Sequence, residues 1–471
     1  MKVKSRSVCQ NCRQRKYGCD GKRPACSQCL LTKRSCPGYE SVTFVSPTTA
    51  WKAPGPSKRS RKISVPHGAS KPNSRPYTDC LILNFSTFRW STDEEFVALV
   101  IEYFIPEHYG SRQTPLPDEP YSTICSPWLE VLPLLLARSR STPLLSVSLR
   151  TFGYSIICKG DQGPTRSRWD ICRAQSYAKA VQYLKHRLAE ADGVCDESAA
   201  AIMCLCIAEW LIPTSREGWV VHIRGIGQMM ELCRPESFTK PISQQLFVGF
   251  RPLIILEACI SRQNTFLSSY EWRTIPFACH EPSFFQILLS HGSVLPSLLR
   301  KVQYLDSLPS EEAMLAAQDI LTGLVNALRE LDGWERSLQA ANPGSLFWPR
   351  TVCPISQRAN NAVEPSLWFC SLPVAMSLTH LWAFRAVCFS VAAQLLSSNR
   401  IFCMETARAC LNVSGIEDCQ MRTLGFHSMI RQSMLYFKQD EMKFYGAASV
   451  TLPIRVTQTV LSPTLPLACT G

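Results

Sequence analysis

The sequence predicts three unlike stretches: a small cysteine-rich unit over residues 1–40, a proline-rich, disordered linker over 41–78 and one large all-α domain over 79–471. Three observations carry that reading. Six of the 23 cysteines fall at regular places between Cys9 and Cys36, and Pro47, Pro54, Pro56, Pro66, Pro72 and Pro76 crowd the stretch that follows. Beyond Thr92, apolar residues recur at helical intervals while alternating strand patterns are scarce.

The first unit is strongly basic. Residues 1–78 hold 17 basic and two acidic side chains, a net +15, while the remaining 33 basic and 35 acidic residues leave −2. A basic head on a near-neutral body suggests a polyanion as partner for the head alone, either nucleic acid or an anionic membrane surface. The start, "MKVKSRSVCQNCRQRK", lacks the apolar core of a secretory signal, and no run of about 18 uninterrupted apolar residues offers a membrane span. We therefore expect a protein that meets no membrane and stays in a reducing compartment, where cysteines remain thiols.

The cysteine pattern of the head is C-x2-C-x6-C-x6-C-x2-C-x6-C. Cys9, Cys12 and Cys19, shifted by 17 positions, land on Cys26, Cys29 and Cys36, so two copies of one half are joined by a turn at Asp20–Pro24. A unit of this size cannot bury a core of its own and needs a metal or disulfides to fold; a reducing compartment disfavours disulfides. Each zinc takes four soft donors, and no histidine lies nearby. Six thiolates fill eight positions around two zinc ions only if two of them bridge. The expected unit is a small binuclear zinc cluster domain, with two short helices around two Zn2+.

The linker excludes both helix and central strand through its prolines. It leaves no room for three or four coiled-coil heptads, so the head is expected to be monomeric and any homodimer to form through the helical body. Its "SKRSRK" at Ser57–Lys62 reads as a nuclear-localisation or phosphate-contact patch, or as a merely solvated charge run.

In the body, "TDEEFVALVIEYF" places Thr92 and Glu95 at capping-box spacing and stops before Pro106. "WDICRAQSYAKAVQYLKHRLAEA" puts Ala174, Tyr177, Ala178, Val181, Leu184 and Leu188 on one face, ended by Asp192–Gly193, and Asp196 is a cap for the next helix. Further helices are expected near 218–233, 243–268, 311–341, 366–398 and 402–437, with "ANPGSLFWPRTVCPISQRANNAVEP" as a long internal loop. The 17 cysteines outside the head lie in apolar patterns such as "AIMCLCIAEWLI" and read as small core hydrophobes.

The head, "CQNCRQRKYGCDGKRPACSQCLLTKRSC", resembles the fungal binuclear zinc cluster transcription factors over residues 9–36. The resemblance implies that Cys9 and Cys26 bridge, that Cys12 and Cys19 complete one zinc, and that Cys29 and Cys36 complete the other. It also implies double-stranded DNA as partner, with a CGG triplet read in the major groove, and a nuclear regulator of RNA polymerase II transcription that engages the transcription machinery. Control of a secondary-metabolite biosynthetic gene cluster is the family habit.

The residues add an asymmetry. After the first C-x2-C comes "RQRKYG"; the matching slots of the second hold "LLTKRS". Guanine O6 and N7 suit Arg or Lys, so Arg13, Arg15 and Lys16 are the expected readers. Leu30 and Leu31 are expected to pack the cluster's small core. Lys22, Arg23, Lys33 and Arg34 would contact phosphate or stay solvated. The cluster has a formal charge of −2, so these cations also help keep the thiolates deprotonated.

The body resembles, less specifically, a fungal-specific regulatory domain, in "AQSYAKAVQYLKHRLAEADGVCDESAAAIMCLCIAEWL", "WVVHIRGIGQMMEL", "RPLIILEACISRQNTFLSSYEW" and "MLYFKQDEMKFYGAASVTLPIRV". Catalysis is not expected, because no phosphate-loop, zinc-protease, nucleophile-elbow or dinucleotide motif occurs in a usable context. His222 reads as a structural hydrogen-bonder, and His280–Glu281 lacks a second histidine at i+4. The rival reading is a zinc-stabilised protein-interaction cofactor that does not read DNA sequence.

Overall fold

The computed structural model describes Cys12 and residues 27–32, 91–106, 127–138, 143–161, 163, 165–190, 195–215, 217–350, 365–398, 401 and 404–461. The expected linker lies outside these. The chain divides into two units, Met1–Ser74 and Arg75–Gly471. In the first, helix α1 (Ser27–Leu31) turns Cys29 inward, and Thr32 Oγ1 closes its end by donating to the Gln28 carbonyl at 2.8 Å.

The second unit is built almost wholly of helices. α2 (Asp93–Phe104) begins with the expected capping box: Thr92 Oγ1 accepts from the Glu95 amide, and the Glu95 carboxylate accepts from the Thr92 amide at 3.0 Å. α3 (Leu132–Arg138) precedes α4 (Leu144–Gly160), a buried helix absent from the sequence expectation. Its hydroxyls are the reason: Ser148, Thr151 and Ser155 interrupt the apolar pattern, yet all are buried. Thr151 and Ser155 donate back to the Val147 and Thr151 carbonyls at 2.9 and 2.8 Å.

α5 (Arg166–Glu190) packs chiefly on α4, but with a face about a quarter turn from the one expected. Trp169 and Ala180 are buried and Tyr177 and Leu184 half-buried, whereas Ala174, Ala178, Val181 and Leu188 face solvent. α6 (Asp196–Leu211) is capped one residue earlier than expected. Cys195 Sγ, not Asp196, accepts from the Ser198 amide at 3.4 Å.

α7 (Gly218–Leu232) agrees with expectation, and α8 (Pro241–Ser261) ends sooner because Arg262 adopts a left-handed backbone at φ 53°. The short α9 (Tyr270–Thr274), then α10 (Phe284–Gly292) and α11 (Leu295–Tyr304), precede the long α12 (Ser310–Ala341). The expected long loop and the start of the expected 366–398 helix instead contribute two strands. β1 (Phe347–Arg350) and β2 (Ser366–Phe369) form an antiparallel pair, Phe347 opposite Phe369, so the body is not purely α. Ser371 then caps α13 (Leu372–Ser397), with Pro373 in its first turn.

α13 is apolar on every side and packs against α10, α11 and α12, and against two later helices, α15 (Ile416–Gln432) and α17 (Lys443–Leu461). It is long and apolar enough to cross a membrane, yet 94% of its apolar window is buried within the fold, as befits a core helix. The expected 402–437 helix is three pieces: α14 (Met404–Leu411), α15 and α16 (Met434–Phe437). Asn412, at φ 51°, makes the first break.

Candidate metal centre and nucleic-acid interface

Cys12 and Cys29 occupy the same place in the two halves of the cysteine pattern, and each is 3% exposed. Two soft sulfur donors buried at equivalent positions fit a zinc site. The groups that would hold the metal are Cys9, Cys12, Cys19, Cys26, Cys29 and Cys36, and zinc supplies the cross-links that a core would otherwise provide. Cys9, Cys19, Cys26 and Cys36 lie outside the described residues, as do Arg13, Arg15, Lys16, Lys22, Arg23, Lys33 and Arg34.

The expectation for Leu30 and Leu31 is overturned. They are 63% and 80% exposed and pack no core. The cause is helix geometry: each residue advances about 100° around α1, so with Cys29 inward the next two positions swing outward. The second half thus shows two leucines to solvent where the matching slots of the first hold Arg13 and Gln14.

Among the described residues no three His, Cys, Asp or Glu side chains gather at metal-binding distance. Burial pushes the thiols of Cys158, Cys206 and Cys388 up to about 12, and that of Cys419 to about 11, so they stay protonated in the core. Cys279, Cys370 and Cys410 depart from the expectation by being exposed, and Cys195 serves as a cap.

His222 is structural, as its setting in the sequence suggests. Its Nε2 lies 3.1 Å from Tyr177 Oη, with the rings edge to face, and burial lowers its pKa. Burial, then the Glu209 carboxylate, raises the Tyr177 phenol. Glu209 is itself buried and accepts from the Thr214 amide at 2.9 Å and the Thr214 hydroxyl at 2.6 Å. The sequence gives no sign of this polar knot, whose partners come from three separate segments. His280 and Glu281 sit on an exposed loop.

Residues 7–42 match the family model of the fungal Zn(2)-Cys(6) binuclear cluster domain. Domains of this family bind two zinc ions, and their proteins are DNA-binding transcription regulators rather than enzymes, generally nuclear. No curated protein and no solved structure matches the chain.

Proposed function

We propose that this chain is a sequence-specific regulator of RNA polymerase II transcription. It reads CGG-type triplets in the major groove of double-stranded DNA through the first half of its cluster and is controlled through its helical body. The chemical inequality of the halves carries the reading. Exposed Leu30 and Leu31 cannot donate to guanine, whereas Arg13, Arg15 and Lys16 of the first half can. Lys22, Arg23, Lys33 and Arg34 contact phosphate, which orients the domain without specifying sequence. The body acts as a fungal-specific regulatory domain, and the targets belong to a secondary-metabolite gene cluster by family habit.

Selection of bound sites from a random duplex library by the zinc-loaded full chain tests this. Enrichment of CGG triplets is expected; uniform, weak retention of all sequences would overturn it. That second outcome would favour the zinc-stabilised protein-interaction cofactor, for which the outward Leu30–Leu31 pair is a ready apolar contact.

Homodimerisation is assigned to the body. On α5 the exposed Ile171, Ala174, Ala178, Val181 and Leu188 follow alternating three- and four-residue steps, with Lys185 between the last two, the spacing of a two-helix seam. Sedimentation of the full chain should show a dimer that a Val181→Glu, Leu188→Glu double variant dissociates. A dimer unaffected by the pair would move the interface elsewhere.

A further inference from the structure

Within the body lies a cavity of about 500 Å³, inside the range of about 300–1,000 Å³ that holds small organic ligands. Its walls come from α2, α6, α8, α10, α13 and α17 together with Trp128 and Phe277 from short helical turns, and the exposed loop carrying His280 and Glu281 forms its rim. Most of the lining is apolar, including Trp128, Leu253, Met376 and Leu452. Glu281 is the only carboxylate among the described residues that line it, and no Lys or Arg joins it. The field at the rim therefore disfavours an anion.

The polar groups of the wall are unevenly used. Pro252, inside α8, has no N–H for the Val248 carbonyl, and Gln286 Nε2 supplies the missing donor at 3.4 Å. Gln286 is held for this by the buried Arg251, which donates to its Oε1 at 2.7 Å. Gln244 Nε2 donates to the Pro276 carbonyl at 3.2 Å. Each of these two amides thus gives an N–H to a backbone carbonyl.

Acceptors remain. His380, 2% exposed, has Nδ1 2.8 Å from the Met376 carbonyl, which can only accept. The proton therefore sits on Nδ1, and burial holds the ring neutral, with a pKa near 4, so Nε2 is a bare acceptor. Gln245 Oε1 is buried with no hydrogen-bond partner among the described residues. The Ser449 carbonyl has lost its helical donor to Pro453.

We propose that this cavity binds a neutral, largely apolar small molecule carrying a hydroxyl or N–H donor, recognised by His380 Nε2. The ligand is the effector through which the body is regulated, so its regulatory meaning rests on the function proposed above; its binding does not. An apolar wall supplies affinity, and a buried acceptor left unsatisfied rejects analogues that lack the donor.

Calorimetric titration of the full zinc-loaded chain with 4-hydroxybiphenyl, biphenyl and biphenyl-4-carboxylate tests the site. The phenol should bind, with biphenyl about tenfold weaker and the carboxylate weaker still. His380→Phe should remove the advantage of phenol over biphenyl while sparing biphenyl itself, and Ala448→Phe, which fills the cavity, should abolish both. Thermal melting identifies any variant that fails to fold, and the unaltered chain's ranking of the three probes is informative without either variant. Absence of phenol binding, equal binding of phenol and biphenyl, or undiminished binding to a folded Ala448→Phe chain would overturn the proposal. CGG selection reads the cluster regardless of this cavity, so the two readings fail separately.

Discussion

In the head, Cys12 and Cys29 are buried in a unit with almost no apolar material, and we propose their sulfurs as zinc ligands. In the body, Leu378, Trp382 and Phe384 are buried on one helix amid dozens of apolar neighbours. Metal–thiolate bonds hold the first region together, and exclusion of water holds the second. Function and fold are thus written at different densities. Six residues and their spacing specify the head, whereas no small set specifies the body.

Zinc removal should perturb the molecule most. Structural zinc contributes apparent binding energies of about 10–16 kcal/mol, so chelation should unfold the head and abolish DNA binding. The body should keep its helical circular dichroism and melting transition. Loss of both together would show that metal also holds the body.

Core truncation should do the reverse. Leu378 is fully buried in α13, and Leu378→Ala should cost about 2–5 kcal/mol of body stability without releasing zinc. Acid should act on the same region. His380 has a folded pKa near 4, below its ordinary 6.5, so the unfolded chain binds more protons between those values. Body stability should therefore fall as pH drops from 6.5 toward 4, and His380→Phe should flatten the dependence. Denaturant midpoints across that range check the sign.

Within the head, Lys16→Ala should cost roughly 1–3 kcal/mol at the preferred triplet and blunt discrimination, with Arg15→Ala doing so if that side chain reaches guanine. Lys33→Ala should weaken all DNA alike and reduce the salt slope by about one. A reversed pattern would exchange the roles of the halves. Thr92→Ala, which removes the α2 cap, should cost only about 1 kcal/mol.

Legibility followed the same divide. The capping box at Thr92 and Glu95 and the long α12 were readable because local rules decide them. Leu30 and Leu31 face solvent because apolar character alone does not decide which side of a five-residue helix turns inward. On α5 the sequence shows an apolar stripe but not which neighbour covers it, and α4 covers a different face. Likewise the 366–398 segment looked continuously helical, although Ser371 and Pro373 mark where α13 starts. No local pattern in the sequence marks the cavity, since helices and turns distant along the chain enclose it.

The most direct measurement is the zinc content of the intact chain and its ligand variants by native mass spectrometry. Two zinc ions per chain are expected; Cys9→Ala and Cys26→Ala, as the proposed shared ligands, should disturb both, and Cys12→Ala should retain one. A single zinc in the unaltered chain, or loss of only one from Cys9→Ala, would contradict the bridged cluster.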